Sequence, residues 1–179
     1  GPVCLGLALV MITGNIDLSI GSVVGMSCMI SATLMTKGIN PWVAVGITFV
    51  CCILVGVLNG QLVAKCKLPP FIATLGTMTI ARGIAQIVNN NYNTDSIGDG
   101  AQAFRDFFYY GKFLGVYNTI WIAVVLWVLF NFLLSKTRTG RHIYAIGSNV
   151  EAARLSGVNV VASTTKAYVV SSICACVVG

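Results

Sequence analysis

Long apolar runs separated by short polar links set the pattern of this chain. The first stretch runs from Gly1 to Met35 and is interrupted by Thr13-Gly14-Asn15-Ile16-Asp17; the second is Pro41 to Ala64. The third, Phe71 to Val88, contains Arg82 and Gln86; the fourth is Ile120 to Leu134, and the fifth begins at Ala167. A helix needs about 20 residues to cross roughly 30 Å of hydrocarbon. The pattern therefore predicts an all-α, polytopic transmembrane helical bundle whose first helix is broken. The chain opens on Gly1 inside an apolar run, and its fifth run stops at Gly179. These ends predict an internal fragment: a single transmembrane domain over 1–179, truncated at both ends.

Composition strengthens the membrane reading. Hydrophobic residues make up 56% of the chain and charged residues 9%, with a mean hydropathy of +0.86. Soluble domains carry about 25% charged residues, so this chain lacks the charge to cover a water-facing surface. The net charge of +6 is distributed by link. Lys65 and Lys67 lie in one link, and Lys136, Arg138, Arg141, Arg154 and Lys166 in another. Lys37, Arg105 and Lys112 lie in the alternate links. Cytoplasmic loops are enriched in Lys and Arg, so the heavier set is assigned inside and the 89–118 region outside, if the broken first stretch is one crossing. The basic residues are not interleaved with aromatics on one face, which argues against nucleic acid as a partner.

Small residues speak to packing. Cys52, Gly56, Gly60 and Ala64 recur at every fourth position, as do Gly21 and Gly25, and Ala73, Thr77, Ala81 and Ala85. Such stripes let helices approach closely in lipid. Cys4, Cys28, Cys51, Cys52, Cys66, Cys174 and Cys176 lie in or beside apolar runs with no metal-ligand spacing, and read as small packing residues. In the outer region, Asn89 to Asn93 is turn material, and Phe104 to Phe113 mixes aromatics with charges. With Trp42, Tyr117 and Trp121 it suits the lipid–water interface, or a docking surface for an external partner.

Three features could carry mechanism. Asn15, Asp17 and Ser19 sit where a helix stops and restarts, and broken helices at membrane depth are used to bind solutes. Asp17 could instead cap a helix starting at Leu18. Arg82 is costly in lipid, about 2.5–3.5 kcal/mol on insertion scales, so it should face protein or water. With Thr79 and Gln86 on its face it could border a translocation path or brace neighbouring helices, and a pairing of Arg82 with Asp17 is open. In the basic link, Ser148-Asn-Val-Glu151 matches the capping-box pattern and Gly157 a helix stop. They bracket a short helix over 149–156, suited to a partner's cleft. Glu151 would cap alone, or cap and contact a basic partner residue.

The same residues carry a resemblance. Glu151-Ala152-Ala153-Arg-Leu-Ser-Gly157 is similar to the Glu-Ala-Ala-x3-Gly core of the inner-loop motif in permeases of ATP-binding-cassette importers, without the Ile and Leu-Pro of its longer form. Lys136 to Asn149, Gly157-Val-Asn-Val, Leu68 to Met78 and Thr13 to Ser22 extend the match across nearly the whole chain. Together they resemble the ribose/xylose/galactose branch, with Asn15 standing where relatives commonly have Gly. The resemblance implies a multi-pass permease of the bacterial inner (plasma) membrane that moves a simple sugar. It implies a dimer with a second permease copy or homologous subunit, a cytoplasmic ATPase carrying ATP-Mg, and an extracytoplasmic sugar-binding protein. The region 136–166 would be the cytoplasmic coupling loop, with Glu151, Ala152, Ala153 and Gly157 in its coupling helix.

The residues also bear on other functional classes. An ion-coupled secondary transporter would use Asp17 in the broken helix. An enzyme is disfavoured, because His142 is the sole histidine and no nucleophile–base constellation appears. The chain has no Gly-x4-Gly-Lys-Ser/Thr phosphate loop, so energy from ATP would have to arrive through a partner. No cofactor or metal is expected in this chain.

Overall fold

A computed structural model describes residues 1–90, 92, 102–113 and 115–179. The helices are α1 (Pro2–Ile12), α2 (Ile20–Thr36), α3 (Pro41–Ala64), α4 (Pro70–Val88), α5 (Gln102–Arg105), α6 (Asn118–Lys136), α7 (Arg138–Ser148), α8 (Val150–Leu155) and α9 (Val160–Val178). A π-helical turn, Asp106–Tyr110, follows α5. Then two short strands, β1 (Lys112–Phe113) and β2 (Val116–Tyr117), pair antiparallel with Lys112 opposite Tyr117. Among the described residues, α3, α4, α6 and α9 are long and apolar enough to cross a membrane. The expected all-α bundle with a broken first helix is what forms. Asn91 and Asn93 of the expected outer turn lie outside the described residues.

Local chemistry sets the helix ends. Asn40 accepts a hydrogen bond from the Trp42 amide at 3.0 Å, and Pro41 opens α3, where its missing N–H costs nothing. Pro70 opens α4 in the same way. The fifth helix differs from expectation, starting at Val160 and not at Ala167. Ser163, Thr164, Thr165 and Lys166 read as link material, yet the first two are buried and Thr165 Oγ donates to the Val161 carbonyl at 2.8 Å. Asn159 caps this helix by accepting from the Ala162 amide at 3.0 Å. Lys166 is therefore a helical residue, exposed on α9. The basic link is also more ordered than expected: α7 forms ahead of α8 and buries Gly140, Ile143 and Ile146.

The helices run up and down. α3 is antiparallel to α9, with Gly56 against Val169 and Gly60 against Thr165. A Cβ on Gly56 would meet the Val169 Cα at 2.7 Å, and one on Gly60 the Thr165 Cα at 2.5 Å. Cys52, Gly56 and Gly60 are thus a close-approach seam, as their spacing predicts. α1 is antiparallel to α9, because Gly6 meets Ser171 and Cys174 while the Ile12 carbonyl lies on Gly147 of α7. α2 runs the other way, reaching Gly179 with Val24 and Ser27. The chain therefore folds back on itself at the break, and the first stretch is not one straight crossing. From Lys37 onward the alternation of links is unaffected. One end of the bundle carries the Lys65–Lys67 link and α7–α8. The other carries Trp42 with Phe104 and Phe108, ring centroids 5.7 and 6.3 Å away.

The exterior is apolar, unlike that of a water-soluble domain, and the interior mixes apolar and polar groups. Large apolar side chains such as Leu54, Trp127 and Phe132 point outward. Ser19, Ser27, Thr48, Asn59, Thr74, Thr77, Ser171 and Ser172 are buried. Two apolar clusters fill the rest. One joins Leu9, Val10, Phe130, Ile143 and Tyr168; the other joins Ile20, Val23, Met26, Cys52, Ala81 and Ala175. Ala73, Thr77 and Ala81 are buried as their stripe predicts. Gly21 and Gly25 are not a helix contact: a Cβ on either would meet nothing within 4 Å.

Candidate functional site

The break is built in two steps. Gly14, at φ +76°, stops α1: its amide donates to the Met11 carbonyl at 2.9 Å, and the Asn15 amide to the Val10 carbonyl at 3.3 Å. Glycine adopts this left-handed conformation without the steric cost a side chain would bring. Asn15 then turns its side chain back to Thr13, donating to the hydroxyl at 2.8 Å. The restart is made by Asp17, whose Oδ1 accepts from the Ser19 amide at 3.0 Å and the Ser19 hydroxyl at 2.6 Å. Helix α2 begins at Ile20, with Ser19 at its N-cap position. Asp17 thus closes the turn before the helix and does not cap one starting at Leu18. Ser19 already has helical φ and ψ, which moves the usable amide to residue 19.

Asp17 lies at the middle of the bundle's polar interior, 3% exposed. Its Oδ2 accepts from the Ser171 hydroxyl of α9 at 3.0 Å. Ser19 Oγ in turn accepts from the Asn59 amide of α3 at 2.9 Å, and Asn59 Oδ1 accepts from Thr77 of α4 at 2.7 Å. Beside it, the Tyr168 hydroxyl donates to the Ile16 carbonyl at 3.2 Å. Four segments, the turn and helices α3, α4 and α9, are joined by these bonds. Three donors on one carboxylate compensate much of its desolvation, and leave little acceptor capacity for a solute or an ion. Sequence reasoning singled out Asp17 and Ser19 but missed Asn59, Ser171 and Tyr168, and saw Thr77 only as a small residue. Each is a polar group within an apolar run, where the expected cost of an unpaired group was the available signal.

Arg82 and Gln86 are elsewhere. Arg82 does not pair with Asp17; its Nε donates to Ser22 Oγ on α2 at 3.2 Å. Among the described residues the one ion pair is Arg154–Glu151, at 3.7 Å. Arg82 and Gln86 border an open groove of about 360 Å³ between α2 and α4, which Gly21 and Gly25 also line. The candidate path residues therefore divide: Asp17 and Ser19 are enclosed, Asn15 is tied to Thr13, and Arg82 and Gln86 face open space. No group of three or more His, Cys, Asp or Glu that could hold a metal occurs among the described residues.

On the basic end, α8 is a separate short helix fixed at both ends. Its cap is Asn149, which accepts from the Ala152 amide at 3.0 Å. Ser148, expected in that role, ends α7 and donates to the Ala145 carbonyl at 2.9 Å, so its hydroxyl is already used. Gly157, at φ +81°, stops the helix as expected. The Gly157 amide donates to the Arg154 carbonyl at 3.0 Å and the Val158 amide to that of Ala153 at 3.1 Å, the two bonds of a Schellman stop. Ala153 is buried, while Glu151 and Leu155 project outward, Leu155 89% exposed. The exposed Arg154–Glu151 pair adds little stability, so both charges are available to a partner.

Comparison with known proteins finds related permeases. The profile of the permease family described as "Branched-chain amino acid transport system / permease component" matches residues 3–179. The chain is 35% identical over 157 residues to the ribose import permease protein of Escherichia coli K12, covering 87% of this chain and 49% of that protein. It is 32% identical over 177 residues to the fructose import permease protein of Bifidobacterium longum, covering 99% of this chain and 50% of that protein. With the galactose/methyl galactoside import permease protein of Haemophilus influenzae it shares 35% identity over 188 residues, covering 94% and 55%. The chain spans about half the length of the curated relatives it matches. No solved structure matches it.

Proposed function

This chain belongs to the permease family of the branched-chain amino acid transport type, and from that premise we propose that it is the membrane-spanning part of an ATP-binding-cassette importer for a monosaccharide. It is accordingly a multi-pass chain of the bacterial inner membrane. The family description names amino acids, whereas the printed names of the relatives above are ribose, fructose and galactose permeases. The sugar class rests on those relatives. A separate cytoplasmic ATPase would hydrolyse ATP-Mg, an extracytoplasmic binding protein would deliver the sugar, and a second permease copy or homologous subunit would complete the path.

The observation that carries this reading is α8. A two-turn helix, capped by Asn149, stopped by Gly157 and exposed at Glu151 and Leu155, is a rigid knob on the basic end. Glu151, Ala152, Ala153 and Gly157 would form the surface that meets the ATPase. The solute path would run along the α2–α4 groove, where Arg82 and Gln86 face open space. Asp17, bonded by three donors, is poorly suited to the ion-coupled alternative.

The test is uptake and ATP hydrolysis by the full-length permease with its partners. Replacing Glu151 with Ala, or Gly157 with Val, should reduce ribose uptake at least tenfold while ATP hydrolysis continues. Full uptake by both variants, with no ATPase co-purifying, would sink the reading. Uptake that collapses on dissipating the proton gradient at constant ATP would favour the ion-coupled class.

A further inference from the structure

The α7–α8 knob and the break between α1 and α2 lie far apart in sequence, yet two routes connect them. Gly147, near the end of α7, lies directly on the Ile12 carbonyl, the last residue of α1. The second route is α9. Only Ser156 to Asn159 separate α8 from α9. That link begins with the Gly157 stop and ends with the Asn159 cap, so it has no slack to absorb a displacement. Twelve residues beyond Asn159, about 18 Å along the helix, Ser171 donates to Asp17 and, one turn earlier, Tyr168 donates to the Ile16 carbonyl. Both α9 residues are fully buried. These two bonds hold the turn from outside its own sequence neighbourhood.

We propose that Ser171 and Tyr168 are positioning residues for transport: they clasp the Thr13–Ser19 turn to α9, so that the turn moves with α8 when the ATPase acts on it. The inference rests on the importer reading and deepens it by naming the link between coupling surface and broken helix. Three features support a transmitted movement over a purely local bond. First, the turn has no regular helix of its own, so its position is set by what grips it. Second, Asp17 passes the connection on through Ser19 and Asn59 to Thr77, which brings α3 and α4 into the same unit. Third, α9 meets α1 and α3 at backbone range through Gly6, Gly56 and Gly60, so a displacement of α9 is passed directly to both helices. Coupling between distant sites needs an element with two arrangements that both sites bias. The turn, gripped at Ile16 and Asp17, is that element.

The test uses the full-length permease assembled with its ATPase in lipid nanodiscs, followed by hydrogen exchange with and without ATP and vanadate. In the parent protein, trapping the nucleotide should change exchange in peptides covering 149–157 and 13–19 alike. In Tyr168→Phe and Ser171→Ala the change at 149–157 should persist, and that at 13–19 should fall at least fivefold. Ribose uptake per ATP hydrolysed should fall with it. Thr48→Val is the control, since Thr48 donates only to the Ala44 carbonyl of its own helix; both responses should remain. A turn that still responds fully in both clasp variants overturns the proposal. So does loss of both responses together, because that marks the two residues as structural. No response at 149–157 in the parent protein would instead overturn the coupling role of α8 and the importer reading beneath it.

Discussion

The side-chain amide of Asn59 on α3 donates to the hydroxyl of Ser19 at the break, at 2.9 Å and across forty residues of sequence. Asn59 also accepts from Thr77, so removing it loses two interhelical bonds at once, although Ser19 keeps Asp17 and Thr77 keeps the Ala73 and Thr74 carbonyls. Asn59→Leu should cost about 1–2 kcal/mol, read as a lower midpoint in thermal unfolding of the detergent-purified full-length protein. Thr77→Val in the same background should add less than it does alone, because the two residues share one network. Strict additivity would show that the bonds are energetically separate.

The glycine stripes divide into two classes with opposite expectations. Gly60→Val forces side-chain atoms onto the Thr165 backbone, where even a Cβ would sit at 2.5 Å. Overpacking of this kind costs about 1–3 kcal/mol and should lower yield and thermal midpoint together. Gly21→Ala meets nothing within 4 Å and removes a helix-weakening glycine, so stability should rise by about 0.5–1 kcal/mol. A destabilised Gly21→Ala would mean that the groove is filled by another segment.

The two neighbours at the start of α8 should respond unequally. Asn149→Ala removes the cap and should cost about 1 kcal/mol, seen as faster exchange of amides in 150–155. Ser148→Ala removes only a bond inside α7 and should leave those amides unchanged. Equal effects would restore Ser148 as the capping residue.

Water in the groove can be measured directly. Gln86→Cys and Gly25→Cys in the full-length protein should react with a membrane-impermeant thiol reagent at least tenfold faster than Ile80→Cys, on the opposite side of α4. Peptide mass spectrometry separates these sites from the native cysteines. The expectation follows from Arg82, whose charge is costly in lipid and whose Nε is held across to Ser22, not extended along its own helix. Slow labelling at both positions would show the groove to be dry.

Much of this architecture was legible in the pattern of apolar positions. The second stretch matches α3 at both ends, Gly14 lies in the expected break, and Gly157 stops a helix where a stop was expected. The misreadings have one physical source: in a membrane bundle, polarity is not a mark of the surface. Ser163 and Thr164 looked like a link and are buried on α9. Asn59 and Ser171 looked incidental in apolar runs, and they complete the network around Asp17. A pairing of Arg82 with Asp17 was open, yet each bonds neutral groups instead, Arg82 the Ser22 hydroxyl and Asp17 the Ser171 hydroxyl. The direction of α2 was invisible too, since hydropathy reports where helices lie and not whether the chain turns back between them.

The glycines that flank α9 bear on how such a helix can be displaced. Gly6 on one side and Gly56 and Gly60 on the other present bare backbone to it. A surface of interdigitated Leu and Phe must unlock its rotamers before one helix can pass another. Here small side chains do the registering, with Thr165 set against Gly60 and Ser172 against Gly56. Because Tyr168 of α9 packs among Leu9, Val10 and Phe130 and is bonded to the turn, α9 and the segments around it would shift as one body and not slide past each other.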